Sequence, residues 1–233
     1  MAGEYVRILA VSEKVDLILA SNSPRRRELL ALTGLTFRVA PADVDESLLP
    51  GEAPEEYVLR LARRKALAGA AHGAEADLIL AADTAVVDGE AILGKPRDSA
   101  EAGWMLVALR GHSHQVCTGL ALLQTSDGRL VTDLCVTDVP MRAYRDDEIA
   151  DYVATGDPLD KAGAYAIQHP RFQPVERLQG CYASVMGLPL CHLARSLGRF
   201  GLAPTSDVAA NCQGALKYPC PIWRAVLNGE QLG

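Results

Sequence analysis

Asp83, Lys65, Lys95, Glu46 and the run Arg25-Arg26-Arg27 are the residues whose types and settings could do chemistry. Asp83 follows the apolar run Leu78-Ile-Leu-Ala-Ala82. A strand there would carry its carboxylate to the C-terminal edge of a sheet, where open α/β sheets bind ligands. At that edge it can hold a divalent cation or take a proton from water; an Asp-Thr pair such as Asp83-Thr84 can equally cap a turn. Lys65 lies seven residues after Val58 and four after Leu61, on the apolar face of a helical pattern. An ammonium there must snorkel or meet an anion. Arg60 and Arg64 read as the solvated face of the same helix. Lys95 stands in Gly89-Glu-Ala-Ile-Leu-Gly94-Lys95-Pro96, close to the phosphate loop G-x-x-x-x-G-K-[ST]. Pro96 replaces the hydroxyl residue that loop needs and drives Lys95 away from helical dihedrals, so the P-loop reading is rejected. Lys95 can still meet a phosphate as a point charge, or sit solvated in a loop.

The elements around these residues sharpen the picture. Residues 16–20 read as a buried strand, followed by Ser21-Asn-Ser23 and a helix over 24–32. Ser23 is a good N-cap and Pro24 suits the first helical position. Arg25, Arg26 and Arg27 then occupy a helix start that already carries partial positive charge, which is unfavourable unless an anion sits opposite. Strand, hydroxyl loop, helix N-terminus and guanidinium groups describe a phosphate-binding corner, although an arginine run by itself is more often a solvated turn. The acidic stretch Asp43-Val-Asp45-Glu46 offers oxygen ligands nearby. Asp160-Lys161-Ala-Gly163 is a charged loop that could reach a ligand. His112-x-His114 with Cys117 lacks a full zinc ligand set, and His114 reads as a structural strand residue.

Further along, the patterns predict strands over 36–40, 78–82, 114–124 and 130–141, a hairpin at Asp88-Gly89, and helices over 54–71, 98–109, 146–154 and 189–200. Shorter strands are expected over 165–167, 175–178 and 182–185, and a polar loop over 157–163. Strands and helices alternate and then give way to a β-rich middle, which implies an α/β fold with a mixed sheet. Three segments follow: a lead over 1–15, a body over 16–202 and an irregular tail over 203–233 without clear periodicity.

The 233 residues suffice for a full core, and the net charge of −6 argues against nucleic-acid binding by bulk charge. No apolar run approaches the roughly 20 residues of a membrane span. The acidic, h-region-free start does not read as a signal peptide. Six cysteines without a Cys-x-x-Cys pattern suggest reduced thiols in a cytoplasmic protein.

In order, the chain carries Leu-Ala-Ser21-Asn-Ser23-Pro-Arg25-Arg26-Arg-Glu28, Val-Asp45-Glu46, Arg-Leu-Ala-Arg-Arg-Lys65-Ala, and Ala-Ala-Asp83-Thr84-Ala-Val-Val. It continues with Leu-Gly-Lys95-Pro96-Arg-Asp98, Gly111-His-Ser-His114-Gln-Val-Cys-Thr118-Gly119, Asp157-Pro-Leu-Asp160-Lys161-Ala-Gly163-Ala-Tyr165-Ala-Ile-Gln168 and Met-Gly187-Leu-Pro189. This series resembles the Maf family of nucleoside triphosphate pyrophosphatases. The resemblance implies an elongated mixed β-sheet flanked by helices, with two lobes around a central cleft, as in inosine-triphosphatase-like folds. It implies house-cleaning hydrolysis of nucleoside triphosphates to monophosphate and pyrophosphate with a divalent cation, Mg²⁺ or Mn²⁺, and at the family level a homodimer. Asp83 then corresponds to the proton acceptor, and Arg25, Thr84 and Gln168 to residues that choose the base. The Asp83-Thr84 and Ile167-Gln168 forms are similar to the subgroup acting on dTTP and UTP, with modified pyrimidine nucleotides as further candidates. The subgroup acting on 7-methyl-GTP typically has Asp-Gln in place of Asp83-Thr84. On this reading Ser21, Arg26, Lys65, Lys95 and Lys161 bind substrate, and Glu46 and Asp83 hold the metal. The segment His169-Pro-Arg-Phe-Gln-Pro174 departs from the family, where glycines are common, and 180–187 is a looser version of its pattern. The alternatives are the same reaction on another base, such as 7-methyl-GTP, and a nucleotide-binding regulator of cell division.

Overall fold

A computed structural model describes residues 16–71 and 78–233; the expected lead over 1–15 lies outside the described residues. Strands β1 (Leu17–Leu19), β2 (Phe37–Val39), β3 (Leu78–Asp88), β4 (Ala91–Leu93), β5 (Ser113–Gln124) and β6 (Leu130–Pro140) form one sheet ordered β2-β1-β3-β5-β6, with β4 pairing the far end of β3. β1 pairs parallel with β2 and β3, and the β3–β4, β3–β5 and β5–β6 pairs are antiparallel. The mixed sheet expected from the order of elements is present.

Helices α1 (Pro24–Ala31), α2 (Pro54–Ala71), α3 (Ser99–Leu109), α4 (Asp146–Ala154), α5 (Tyr182–Val185), α6 (Leu190–Gly198), α7 (Val208–Leu216) and α8 (Trp223–Leu227) flank it. Alternation along β3 divides the core. Ile79, Ala81, Ala85 and Val87 pack beneath Val58, Ala62 and Ala66 of α2. Leu78, Leu80, Ala82 and Val86 face the larger cluster that includes Leu29, Leu106 and Leu193. Gly119 of β5 lets α2 lie flush on the sheet, because a Cβ there would stand 2.8 Å from the Val58 carbonyl carbon and oxygen.

Several local expectations fail for identifiable reasons. β3 does not stop at Ala82, since β5 pairs with it from Leu78 to Val87. Residues 165–167 and 175–178 are not strands; an isolated Met141–Val175 bridge is the β pairing there. Residues 182–185 form α5, where the Cys181 Sγ accepts from the Ser184 amide at 3.3 Å. The expected polar loop over 157–163 contains two 3-10 turns. The expected irregular tail folds into α7 and α8. Asp207 caps α7 by accepting from the Ala210 amide at 2.9 Å, and Val208, Ala209 and Val226 are buried. Helices of nine and five residues show too few turns for a helical period to be read.

Candidate active site

β1 pairs with β3 through Leu80, and β4 takes over that edge of β3 at Val86. Residues 81–85 between them have no strand partner on that side, and a cleft of about 620 Å³ opens there. Asp83 and Thr84 sit in the middle of this gap. Successive side chains point to opposite faces, so Asp83 meets α2 while Thr84 meets α1 and the turn after α5.

On the α2 side the Lys65 Nζ donates to the Asp83 Oδ1 at 2.5 Å and lies 2.6 Å from the Glu46 Oε1. Lys65 is 9% exposed and Asp83 7%, so this ion pair is largely withdrawn from water. The apolar-face lysine thus meets two anions instead of snorkelling. Burial raises the Asp83 carboxyl above the ordinary range, opposed by the nearby Lys65 and Arg26 charges.

On the other side α1 starts as its sequence requires, with the Ser23 Oγ accepting from the Arg26 amide at 3.4 Å, Pro24 in the first turn and no acid there. Arg26 is not free to grip phosphate with its whole fork. Its Nε donates to the Gly187 carbonyl at 2.9 Å, Nη1 to the Ser21 Oγ at 3.3 Å and Nη2 to the Thr84 Oγ1 at 3.2 Å. Gly187 permits this through its φ of +105° and its bare Cα, since a Cβ would lie 3.3 Å from the Arg26 Nε and the Thr84 Oγ1. Thr84 and Thr118 share a 3.0 Å hydrogen bond, and Thr118 donates to the Ser184 carbonyl at 2.9 Å. Burial lowers the Arg26 guanidinium from its usual value, against the attraction of Asp83.

All ten expected site residues, Ser21, Arg25, Arg26, Glu46, Lys65, Asp83, Thr84, Lys95, Lys161 and Gln168, line this cleft. Their availability differs. Arg25 makes a long 3.7 Å ion pair with Asp160. Lys161 is buried and tied to Asp157 at 3.0 Å and Asp160 at 2.6 Å. Lys95 and Gln168 are exposed, and among the described residues Lys95 makes no ion pair. Asp45 is exposed and bonds back to its own loop, accepting from the Ser47 amide at 2.9 Å and its hydroxyl at 2.6 Å, which leaves Glu46 as the acid that reaches Lys65. Sequence reading missed Tyr57, a cleft residue whose hydroxyl donates to the Glu46 carbonyl at 3.0 Å; its position on α2, eight residues before Lys65, was the available signal. It also missed Thr118, which stands opposite Thr84 in the β3–β5 register.

Among the described residues no group of three His, Cys, Asp or Glu side chains stands together as a metal site. The Glu46 and Asp83 oxygens nevertheless converge within 2.6 Å of one ammonium. That pair fits a hard, oxygen-liganded cation whose other ligands would come from substrate and water. No cysteine lines the cleft, and the six cysteines are free of disulfides. No helix among the described residues is long and apolar enough to cross a membrane.

An open α/β sheet whose interrupted edge opens a cleft lined by both cations and acids, with a buried carboxylate beside a lysine, is the setting in which such folds bind small polar ligands. A family model described as "Maf-like protein" matches residues 16–200, and the chain belongs to that family. It is 49% identical over 189 residues to a dTTP/UTP pyrophosphatase of Geobacter sulfurreducens, covering 81% of this chain and 98% of that one. A dTTP/UTP pyrophosphatase of Anaeromyxobacter dehalogenans is 50% identical over 187 residues, with 79% and 94% covered. Among solved structures, a nucleoside-triphosphatase / dITP/XTP pyrophosphatase from Mycobacterium abscessus overlaps with a TM-score of 0.39 at 13% identity, over 79% of this chain and 94% of that chain. An overlap that loose carries no argument.

Proposed function

We propose that this chain hydrolyses dTTP and UTP at the bond between the α and β phosphates, releasing the monophosphate and pyrophosphate. The observation that carries the proposal is the buried Asp83–Lys65 pair, met by the exposed Glu46 carboxylate, set in the strand gap of the cleft. The names of its relatives at 49% and 50% identity point the same way. Asp83 accepts the proton of the attacking water at a carboxylate oxygen, a role suited to a carboxyl that burial has made more basic. Lys95 and Arg25 meet phosphate oxygens. Arg26, held by three protein acceptors, acts as a fixed positive wall. Glu46 and Asp83 would hold Mg²⁺ or Mn²⁺, which when bound supplies charge neutralisation at the phosphates. The exposed Gln168 amide offers one donor and one acceptor to the imide edge of a pyrimidine. Thr84 acts on base choice through the position it gives Arg26. The catalytic body spans residues 16–202.

The test is a panel of nucleoside triphosphates with Mg²⁺ or Mn²⁺, with pyrophosphate and orthophosphate followed separately. Pyrophosphate from dTTP and UTP is expected. Pyrophosphate from 7-methyl-GTP alone would reassign the base, orthophosphate would reassign the reaction, and binding without product would favour a regulator.

A further inference from the structure

Arg60 and Arg64, read from the sequence as a solvated face, grip the loop that carries Glu46. Three side chains of α2, spaced three and four apart on one face, donate to three consecutive carbonyls. The Arg64 Nη1 bonds the Asp45 carbonyl at 3.2 Å, the Tyr57 hydroxyl the Glu46 carbonyl at 3.0 Å, and the Arg60 Nη2 the Ser47 carbonyl at 3.0 Å. Arg60 is itself anchored by Glu52, through Nε at 2.5 Å and Nη2 at 2.7 Å, and its guanidinium carbon lies 5.5 Å from the Tyr57 ring centroid. Glu52 also accepts from the Leu49 amide at 3.2 Å, extending the grip along the same loop. Residues 40–49 belong to no helix or strand, so no regular ladder fixes them. The same helix carries Lys65, whose ammonium meets the Glu46 carboxylate at 2.6 Å. One rigid element therefore holds both the backbone and the side chain of Glu46.

We propose that Tyr57, Arg60 and Arg64 form a backbone clamp that positions Glu46 for divalent-cation binding beside Asp83. They are positioning residues: they hold main-chain carbonyls and act on the cation only through Glu46. The proposal rests on the reading that Glu46 and Asp83 hold the metal. A carboxylate on an unpaired loop presents its oxygens at a fixed place only when the loop backbone is fixed, and groups that orient a ligand commonly alter metal affinity about 10–100-fold.

The test uses the full chain with Mn²⁺ and a non-hydrolysable α,β-methylene analogue of dTTP. Free Mn²⁺ is read by electron paramagnetic resonance, and amide hydrogen exchange is followed over residues 44–49. Arg64 is exposed and bonds the loop through one carbonyl, so Arg64→Met keeps the fold and carries the test; Arg60→Met and Tyr57→Phe accompany it. The expected result is Mn²⁺ binding weakened about tenfold with faster loop exchange, partial recovery in Arg64→Lys, and little change in kcat at saturating Mn²⁺. Glu46→Gln should lose Mn²⁺ affinity with loop exchange unchanged. If Glu46→Gln loses affinity and the clamp variants do not, the clamp is overturned and the metal reading stands. If Glu46→Gln also binds Mn²⁺ as the wild type does, both fall.

Discussion

His114 makes the stability of this protein depend on pH in a window set by one buried ring. It sits on β5, 3% exposed, and its Nε2 shares a 2.8 Å hydrogen bond with the Tyr165 hydroxyl. Its Nδ1 is buried without a partner, so a second proton would leave a charged donor unsatisfied. Burial above all, opposed by Asp88 and aided by His112, lowers the His114 pKa from 6.5 to about 4. The folded ring stays neutral across that interval while the unfolded chain takes up a proton, so stability is present above pH 6.5 and is lost as pH falls towards 4. At 1.36 kcal/mol per pH unit the loss at the acid end is about 3 kcal/mol. For a chain of this length that lowers Tm by roughly 6–12 °C. Tyr165, its hydrogen-bond partner, lines the cleft three residues before Gln168. Urea or thermal unfolding of the wild type and His114→Gln, from pH 4.5 to 7.5, checks this. The wild type should lose stability faster below pH 6.5, and parallel curves for the two proteins would refute the reasoning.

Asp83→Asn should lower turnover by about 10²–10⁴ while nucleotide binding persists; activity within tenfold of wild type in a single-turnover assay would remove Asp83 as the base. Because burial raises its carboxyl above the reference 3.8, the acid limb of kcat/KM should lie above that pH. Lys65→Met, which removes an opposing charge, should move the limb higher still, and a pH–rate profile of the two proteins decides it. Gly119→Ala places a methyl 2.8 Å from the α2 backbone, so stability should fall by about 1–3 kcal/mol, and an unchanged urea midpoint would contradict the close approach. Asp207→Ala, which removes the α7 cap, should cost about 1 kcal/mol and speed hydrogen exchange in α7 before other helices.

Several features were legible because they are local. Ser23 and Pro24 specify where α1 starts, Asp88-Gly89 turns β3 into β4, and the spacing of Val58, Leu61 and Lys65 places the lysine on the packed face of α2. Ordered motifs carried the family as well. Short segments were misread because a strand or helix of four residues takes its state from what packs on it. Residues 182–185 become a helix where Cys181 supplies a cap, and residues 175–178 stay irregular with a single bridge to Met141.

The sequence by itself pointed to the groups that meet in one cleft: Glu46 and Asp83, the cations and the start of α1 all line it. Only the tertiary structure decided which partners each of them takes. Alternation along β3 sends Asp83 to one face and Thr84 to the other, and Asp45 folds back on Ser47 while Glu46 reaches Lys65. Arg60 and Arg64, outward by helical period, find partners because the loop that precedes α2 folds back along their face. Helical period and residue type are properties of neighbours in the chain. Hydrogen-bond partners for a guanidinium or a carboxylate come from segments that meet only when the sheet and its helices have packed.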